Sequence, residues 1–381
     1  MARELVFKNG KIVLVDRVVD GNIVVRDTLI TEVDDTSTEI KTSIDLEGDY
    51  LLPGLIELHT DNLEKHVNPR PGVRWPTAAA LLAHDSQVIA AGITSVFDAL
   101  SVGDIRDDSA RLQDLDEMVS VLNDAHHKNS LRANHYLHLR CEVSCQKLTE
   151  MFMPLAKKTM VRLISMMDHT PGQRQFIDPE QYKSYYSYKW GKSSSEIDAF
   201  IHNQTAQGTH HSDSNRMFLS EYCRNREIPL ASHDDATLEH IEDAVRLGAK
   251  IAEFPTTLDA ARAARQSGLE VMVGTPNLVC GGSHSGNVSA ARLAAEGLIT
   301  VLSSDYVPLS LLHGVFLLTS ARVGITLPRA VAYASAVPAR TVGIEDRGEI
   351  APERVADLVR VHILNDLPIV SGVWRNGERV A

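Results

Sequence analysis

Hydrophobic and polar positions change their period twice along the chain. Residues 1–52 alternate in short runs broken by turn signals: LVFKNGKIVLVD holds Asn9-Gly10 and VVDGNIVVRD holds Asp20-Gly21, and both dipeptides predict hairpins. The chain from about 340, most clearly after 348, has the same texture in ADLVRVHIL and PIVSGVWRNGERV, with a further Asn-Gly at Asn376-Gly377. Two strand-rich ends therefore flank a different middle, and residues 1–52 and 340–381 are expected to pair as one small β-sandwich domain.

Between them, β-like and helical periods alternate, as parallel strands with crossover helices require. Strands are predicted near 55–61, 93–98, 132–142, 161–169, 229–233, 250–254, 271–275 and 299–305. Helical patterns fall near 77–91, 110–128, 145–158, 236–247, 257–267, 288–297 and 327–335. Eight strands close most economically as an α/β fold of the (β/α)8 barrel type over 53–339, with an open doubly wound sheet as the alternative. The polar, tyrosine-rich stretch 176–226 is too long for an ordinary connection and predicts a partly helical excursion. Its Tyr182 to Tyr188 cluster suits either a lid or packing on a barrel rim.

Composition narrows the partners. With 44% hydrophobic residues in 381, a sizeable core is available. The formal net charge of −12 argues against general nucleic-acid binding, which needs a basic surface, but leaves room for a small anionic substrate in a local basic pocket. No apolar run approaches the roughly 20 residues of a membrane span, and MARELVFKNGKIVLVD lacks the apolar core of a signal peptide, so a cytoplasmic protein is expected. Cys141, Cys145, Cys223 and Cys280 form no Cys-x-x-Cys pair, which disfavours a thiolate zinc site. A homo-oligomer is neither required nor excluded.

The chemistry gathers at strand ends. Leu55 to Asp61, read as a strand, puts Glu57, His59 and Asp61 on one face. In the third strand Asn134, Tyr136, His138, Arg140 and Glu142 share a polar face, while Ala133, His135, Leu137, Leu139 and Cys141 face the helices. His169 and His233 close the fourth and fifth strands, and Asp305 the eighth. Thus His59, Asp61, Glu142, His169, His233 and Asp305 all stand at carboxyl ends of strands, where barrel enzymes place their chemistry. Imidazole and carboxylate suit zinc, with manganese or another first-row ion as alternatives. Six ligands exceed the demand of one zinc, so two divalent ions sharing Glu142 are expected, activating water as hydroxide, with Asp305 taking its proton. Glu253 ends the sixth strand with no assigned role, and His126, His127, His210 and His211 are expected to face solvent.

The bipartite sheet domain, the His-x-Asp strand, the Glu, the two His and the final Asp resemble the amidohydrolase superfamily. LLPGLIELHTDNLEKHVNPRPGVRWP, HYLHLRCE, MDHTPGQRQF, ASHDDAT, AEFPTT, GGSHSGNVSA and SSDY resemble, more narrowly, the diphosphatases of the carbon–phosphorus lyase pathway. That resemblance implies a phosphoanhydride hydrolase of phosphonate catabolism, converting a ribose 1-phosphonate 5-triphosphate to the 5-phosphate and pyrophosphate. Most amidohydrolases carry His-x-His on the first strand, whereas this chain has His59-Thr60-Asp61, a harder and more anionic pair.

A triphosphate needs positive partners in an acidic protein. The candidates are Arg70 and Arg74 on the proline-rich loop after the first strand, with Lys65 before them, then Arg140 on the polar strand face and Arg174 after His169. With the resemblance in hand, the glycine-rich segment after strand seven, which opens a helix, becomes a phosphate cradle with Ser283, His284 and Asn287 as contacts. The competing functions are an amidase, deacetylase or cyclic-amide hydrolase of the same superfamily, and a non-catalytic subunit of a pathway complex.

Overall fold

The computed structural model describes residues 3–34, 43–104, 110–170, 174, 183, 194–283, 286–321 and 323–381. Strands β1 (Glu4–Val13), β2 (Val18–Arg26), β3 (Leu29–Asp34), β4 (Ile44–Asp45) and β5 (Tyr50–Pro53) come from the start of the chain; β14 (Leu358–Leu364), β15 (Leu367–Arg375) and β16 (Glu378–Arg379) come from its end. They form one sheet in the order β16-β15-β14-β5-β1-β2-β3, with β4 beside β1, so the two ends meet where β5 pairs antiparallel with β14. Phe7, Ile12, Ile23, Leu51, Leu358 and Trp374 pack its core, and Phe7 meets Trp374 edge-on at 4.9 Å between ring centroids.

The expected hairpins at Asn9-Gly10 and Asp20-Gly21 are corrected. Both dipeptides lie inside strands: Gly10 faces Gly21 across β1 and β2, and a bulge between Phe7 and Gly10 absorbs one residue. Asn9 supplies the left-handed conformation that this bulge needs, at φ 56°. The chain reverses instead between Val13 and Val18, at Asp27-Thr28, at Asn365-Asp366 and, as expected, at Asn376-Gly377.

The second sheet is parallel and takes its strands in chain order: β6 (Leu55–Thr60), β7 (Ile93–Val102), β8 (Asn134–Glu142), β9 (Val161–Met167), β10 (Leu230–His233), β11 (Ile251–Glu253), β12 (Glu270–Gly274) and β13 (Val301–Ser303). All eight predicted strands are present. A parallel bridge between Thr60 and Asp305 brings the last strand's end against the first, giving the (β/α)8 barrel. β6 and β7 are buried at every position, so both faces of each strand are covered. A 33-residue helix, Ser194–Arg226, accounts for the helical part of the excursion, whereas the Tyr182 to Tyr188 cluster lies outside the described residues. No helix among the described residues is long and apolar enough to cross a membrane.

By contact density the chain forms two compact units, Met1–Asp98 with Asp124–Tyr136 and Val273–Ala381, and Ala99–Asn123 with Leu137–Met272. All four cysteines are free thiols.

Candidate active site

In the first unit the site is built on the seam between β6 and β13. Glu57, fully buried, accepts the backbone N–H of His59 at 2.7 Å and that of Ser304. Ser303 donates its hydroxyl to the His59 carbonyl at 2.7 Å, Thr60 donates its own to the Asp305 carbonyl at 2.6 Å, and the Asp305 N–H donates to Ser303 Oγ at 3.0 Å. His59 and Asp305 are thus set by side chains acting on backbone, which is how a strand end is held without a partner strand beyond it. Burial pushes the Glu57 carboxyl up to about 7 against the hydrogen bonds from Ser304 and His59.

Asp61 does not continue the strand. It occupies the N-cap position of a short helix, Asn62–Val67, and is half-buried. That helix carries exposed Lys65, which donates to the Tyr306 carbonyl at 2.5 Å with its ammonium over the Tyr306 ring. Arg70 and Arg74 are exposed on the turn that follows.

The second unit holds its own group of candidate residues. Glu142, at the end of β8, accepts Ser144 Oγ and His169 Nδ1, both at 2.6 Å, and the His169 N–H at 3.2 Å. Burial works against the His169 cation, but the charge of Glu142 and the hydrogen bond to it hold the imidazole above its ordinary value. His233 Nδ1 lies 3.0 Å from Asp234 and its Nε2 3.7 Å from Glu253. The His169 and His233 rings stand 6.3 Å apart. The alternation of β8 is seen directly in His138, Arg140 and Glu142: His138 Nε2 meets Ser165 Oγ at 2.9 Å, and the charge of Arg140 helps to depress the Asp234 carboxyl against its burial.

Arg174 is buried but partly committed. One of its terminal nitrogens donates to the His233 carbonyl at 3.1 Å and to Asp235, leaving Nε as its unpartnered donor among the described residues; buried Arg140 also has an unpartnered Nε. Among the described residues Arg140 and Arg174 therefore keep buried donors with no protein acceptor, the condition for recognising an anion.

The glycine-rich segment differs from expectation. The helix after it, Ala290–Ala295, is capped by Ser289, whose hydroxyl accepts the Arg292 N–H at 3.2 Å, so Ser283 and Asn287 precede the helix N-terminus rather than forming it. His284 lies outside the described residues.

Three further features were not legible from the pattern. Asp234, Phe254 and Asp305, each just beyond a strand, have φ of 56°, 55° and 53°. Left-handed non-glycine residues are uncommon and carry backbone strain, most of all at Phe254. Glu253 and Asp234 are also buried beside His233, and His84, Asp98 and His135 form a buried polar cluster. Solvent-facing histidines are found as expected at His126, His127 and His210, with His211 half-buried.

The donor chemistry fits a divalent ion. Imidazoles and carboxylates alone supply it, and the described residues include buried His, Asp and Glu groups close enough to hold one.

Comparison with known proteins places these motifs. The model of the amidohydrolase family matches residues 197–380. The chain is 42% identical over 377 residues to the α-D-ribose 1-methylphosphonate 5-triphosphate diphosphatase of Escherichia coli (strain K12), covering 99% of this chain and all of that one. Among solved structures it resembles N-acetylglucosamine-6-phosphate deacetylase from Pasteurella multocida (TM-score 0.64, 15% identity, 100% of both chains). It also resembles 5-methylcytosine deaminase from Klebsiella pneumoniae (TM-score 0.65, 15% identity, 99% of this chain and 98% of that one).

Proposed function

From the premise that the chain belongs to the amidohydrolase family, as a hydrolase of the kind represented by the Escherichia coli diphosphatase, we propose that it cleaves a ribose 1-phosphonate 5-triphosphate to the 5-phosphate and pyrophosphate. What carries the reading is likeness along the whole length of both chains. The remaining assignments belong to the same proposal. His59, Asp61, Glu142, His169, His233 and Asp305 hold two divalent ions, zinc by preference, with Glu142 shared. Residues 1–52 with 340–381 form the small domain and 53–339 the barrel, in a cytoplasmic enzyme.

Divalent ions bound by these residues would lower the pKa of a water and withdraw charge from phosphoryl oxygens. Asp305, fixed by its own N–H on Ser303 and by Thr60 on its carbonyl, takes the proton of the attacking water. The water oxygen bonds to the α or the β phosphorus, the bond from that phosphorus to the bridging oxygen between them breaks, and the proton passes from Asp305 to the departing group, pyrophosphate in the first case and the 5-phosphate in the second. Arg140 and Arg174 neutralise the charge that builds on the non-bridging oxygens from buried positions, where an arginine acts more strongly than in water. Arg70 and Arg74, being exposed, serve the outer phosphates and set capture rather than chemistry. Ser283, His284 and Asn287 complete the substrate contacts from the glycine-rich segment.

The test is to load the protein with zinc or manganese and offer 5-triphosphates with and without a 1-phosphonate, alongside an N-acetylated amino sugar. Pyrophosphate from the triphosphates and no acetate from the amide is the expected result. If no triphosphate yields pyrophosphate, the proposal fails.

A further inference from the structure

Wholly within the first unit lies a chain of buried polar groups that this mechanism does not use. His84 of the helix Thr77–Ala90 places Nε2 2.7 Å from Asp98 Oδ1 of β7; His135 of β8 places Nδ1 2.7 Å from Asp98 Oδ2 and Nε2 3.3 Å from Asp85. Asp85 further accepts the backbone N–H groups of Arg132 and Ala133 at 3.0 and 2.9 Å. On the other side, the Asn62 side-chain nitrogen lies 3.0 Å from His84 Nδ1 and donates to Gln87 Oε1 at 2.9 Å, and His66 Nε2 reaches the same Gln87 oxygen at 2.9 Å.

The charges fix the direction of every proton. Burial works against the His135 cation, yet the charge of Asp98 and the hydrogen bonds to Asp85 and Asp98 push its imidazole up to about 9. Burial likewise opposes the Asp98 carboxylate, but His135 first and His84 second hold it down to about 2. His84 is kept neutral, because burial outweighs its attraction to Asp98. Neutral His84 donating from Nε2 must accept at Nδ1, which matches the Asn62 amide, whose second hydrogen goes to Gln87. The chain of donors is ordered from end to end, and all four ring nitrogens of His84 and His135 are engaged.

A buried ionic group is a poor way to gain stability, since apolar side chains would fill the same space without desolvation. What this one reaches is informative. It ends on Asn62, the residue after Asp61, and the Asn62 N–H lies 3.3 Å from Thr60 Oγ1, the hydroxyl that donates to the Asp305 carbonyl. Asp61 and Asp305 therefore hang on one node. We infer that the His84–Asp98–His135 network is a positioning device, holding Asn62 and through it the backbone from which Asp61 takes a divalent ion. The inference rests on Asp61 being a metal ligand, as proposed above. Partners behind metal ligands typically alter affinity by about 10–100-fold when removed.

The test compares metal-stripped wild type with the Asn62→Ala, Gln87→Ala and Asp98→Asn variants. Each is titrated with zinc ion against a competing chelator, and each metal-free thermal midpoint is recorded. Asn62→Ala is expected to weaken zinc binding by about 10–100-fold. Gln87 is half-buried, so Gln87→Ala is the milder change; it weakens binding in the same direction while leaving the metal-free midpoint in place, which a merely structural role would not do. Unchanged zinc affinity in Gln87→Ala and in any folded Asn62→Ala overturns the inference. So does loss of one whole zinc equivalent in Asp98→Asn, which would make the cluster itself a metal site. Zinc binding that follows the expected order without pyrophosphate release from any triphosphate would sink the hydrolase reading and leave this one standing.

Discussion

Asp305 is asked to do two things at one position, and its surroundings explain how. It sits in a left-handed conformation at φ 53°, with its N–H and carbonyl both engaged by hydroxyls of the seam, so its backbone is fixed from both sides. Asp305→Asn keeps the shape and removes the proton acceptor; kcat for pyrophosphate release at saturating metal is expected to fall by about 10²–10⁴. A loss smaller than tenfold would place the base elsewhere. Glu57 is the structural counterpart. Truncation in Glu57→Ala strips the acceptor from two buried N–H groups, those of His59 and Ser304, and each such orphan is destabilising by about 1–3 kcal/mol. Urea unfolding is expected to show a loss of about 2 kcal/mol or more. Glu57→Gln, which retains one carbonyl oxygen, should recover part of it.

At the scale of elements, the strands of the barrel were legible because each ends in a chemically conspicuous residue and begins after a turn. Boundaries moved by one or two residues, as with β9, predicted to His169 and ending at Met167, and by four at β7, which runs on to Val102. The Asn9-Gly10 pair predicts a reversal and instead forms a bulge, since a bulge and a two-residue turn make the same demand for positive φ on the backbone. Only the pairing partner decides between them, and it lies a dozen residues away in β2. The bulge is also tight: a Cβ on Gly10 would lie 2.3 Å from Leu46 Cδ1 in the sheet core. Gly10→Ala is therefore expected to lower the unfolding free energy by about 1–3 kcal/mol, the usual effect of overpacking. An unchanged denaturation midpoint would mean that Leu46 rotates away freely. The Asn62–Val67 helix was missed because six residues show too little of a 3.6-residue period, and its cap residue, Asp61, had already been read as part of the strand.

At the scale of the molecule, what the sequence hid was contact between distant residues. His84, Asp98 and His135 belong to a helix and two strands, and no spacing links them; the position of His135 on the helix-facing side of β8 was legible, its ionic partners were not. Their titration gives the whole protein a pH signature. The folded-state pKa of His135, about 9, lies above the ordinary value of about 6.5 that an unfolded chain would show, so the folded state keeps a proton that the unfolded state has lost. Its contribution to stability is complete below about pH 6.5 and is lost as pH rises through about 9. Asp98, held down to about 2, works at the opposite limit: its contribution is present above about pH 4 and is lost as pH falls through about 2. Other groups overlap at the edges. Glu57, pushed up to about 7, removes stability between about pH 4.5 and 7, and the buried Cys141 and Cys223 thiols, both raised, do so above about pH 8.5. The window from pH 7 to 8 is left to His135 and to His169, which is raised in the same sense. In the metal-free protein the unfolding free energy should therefore decline across that window, with His135 contributing at most about 1.4 kcal/mol per pH unit. Removing that imidazole in His135→Asn should flatten the decline by its own share and leave the part due to His169. Parallel urea titrations at pH 7.0, 7.5 and 8.0, on the order of the narrowest useful spacing, measure the difference in slope. Equal slopes in the two proteins would mean that His135 is neutral in the fold and that the ordered proton chain ending on Asn62 does not exist.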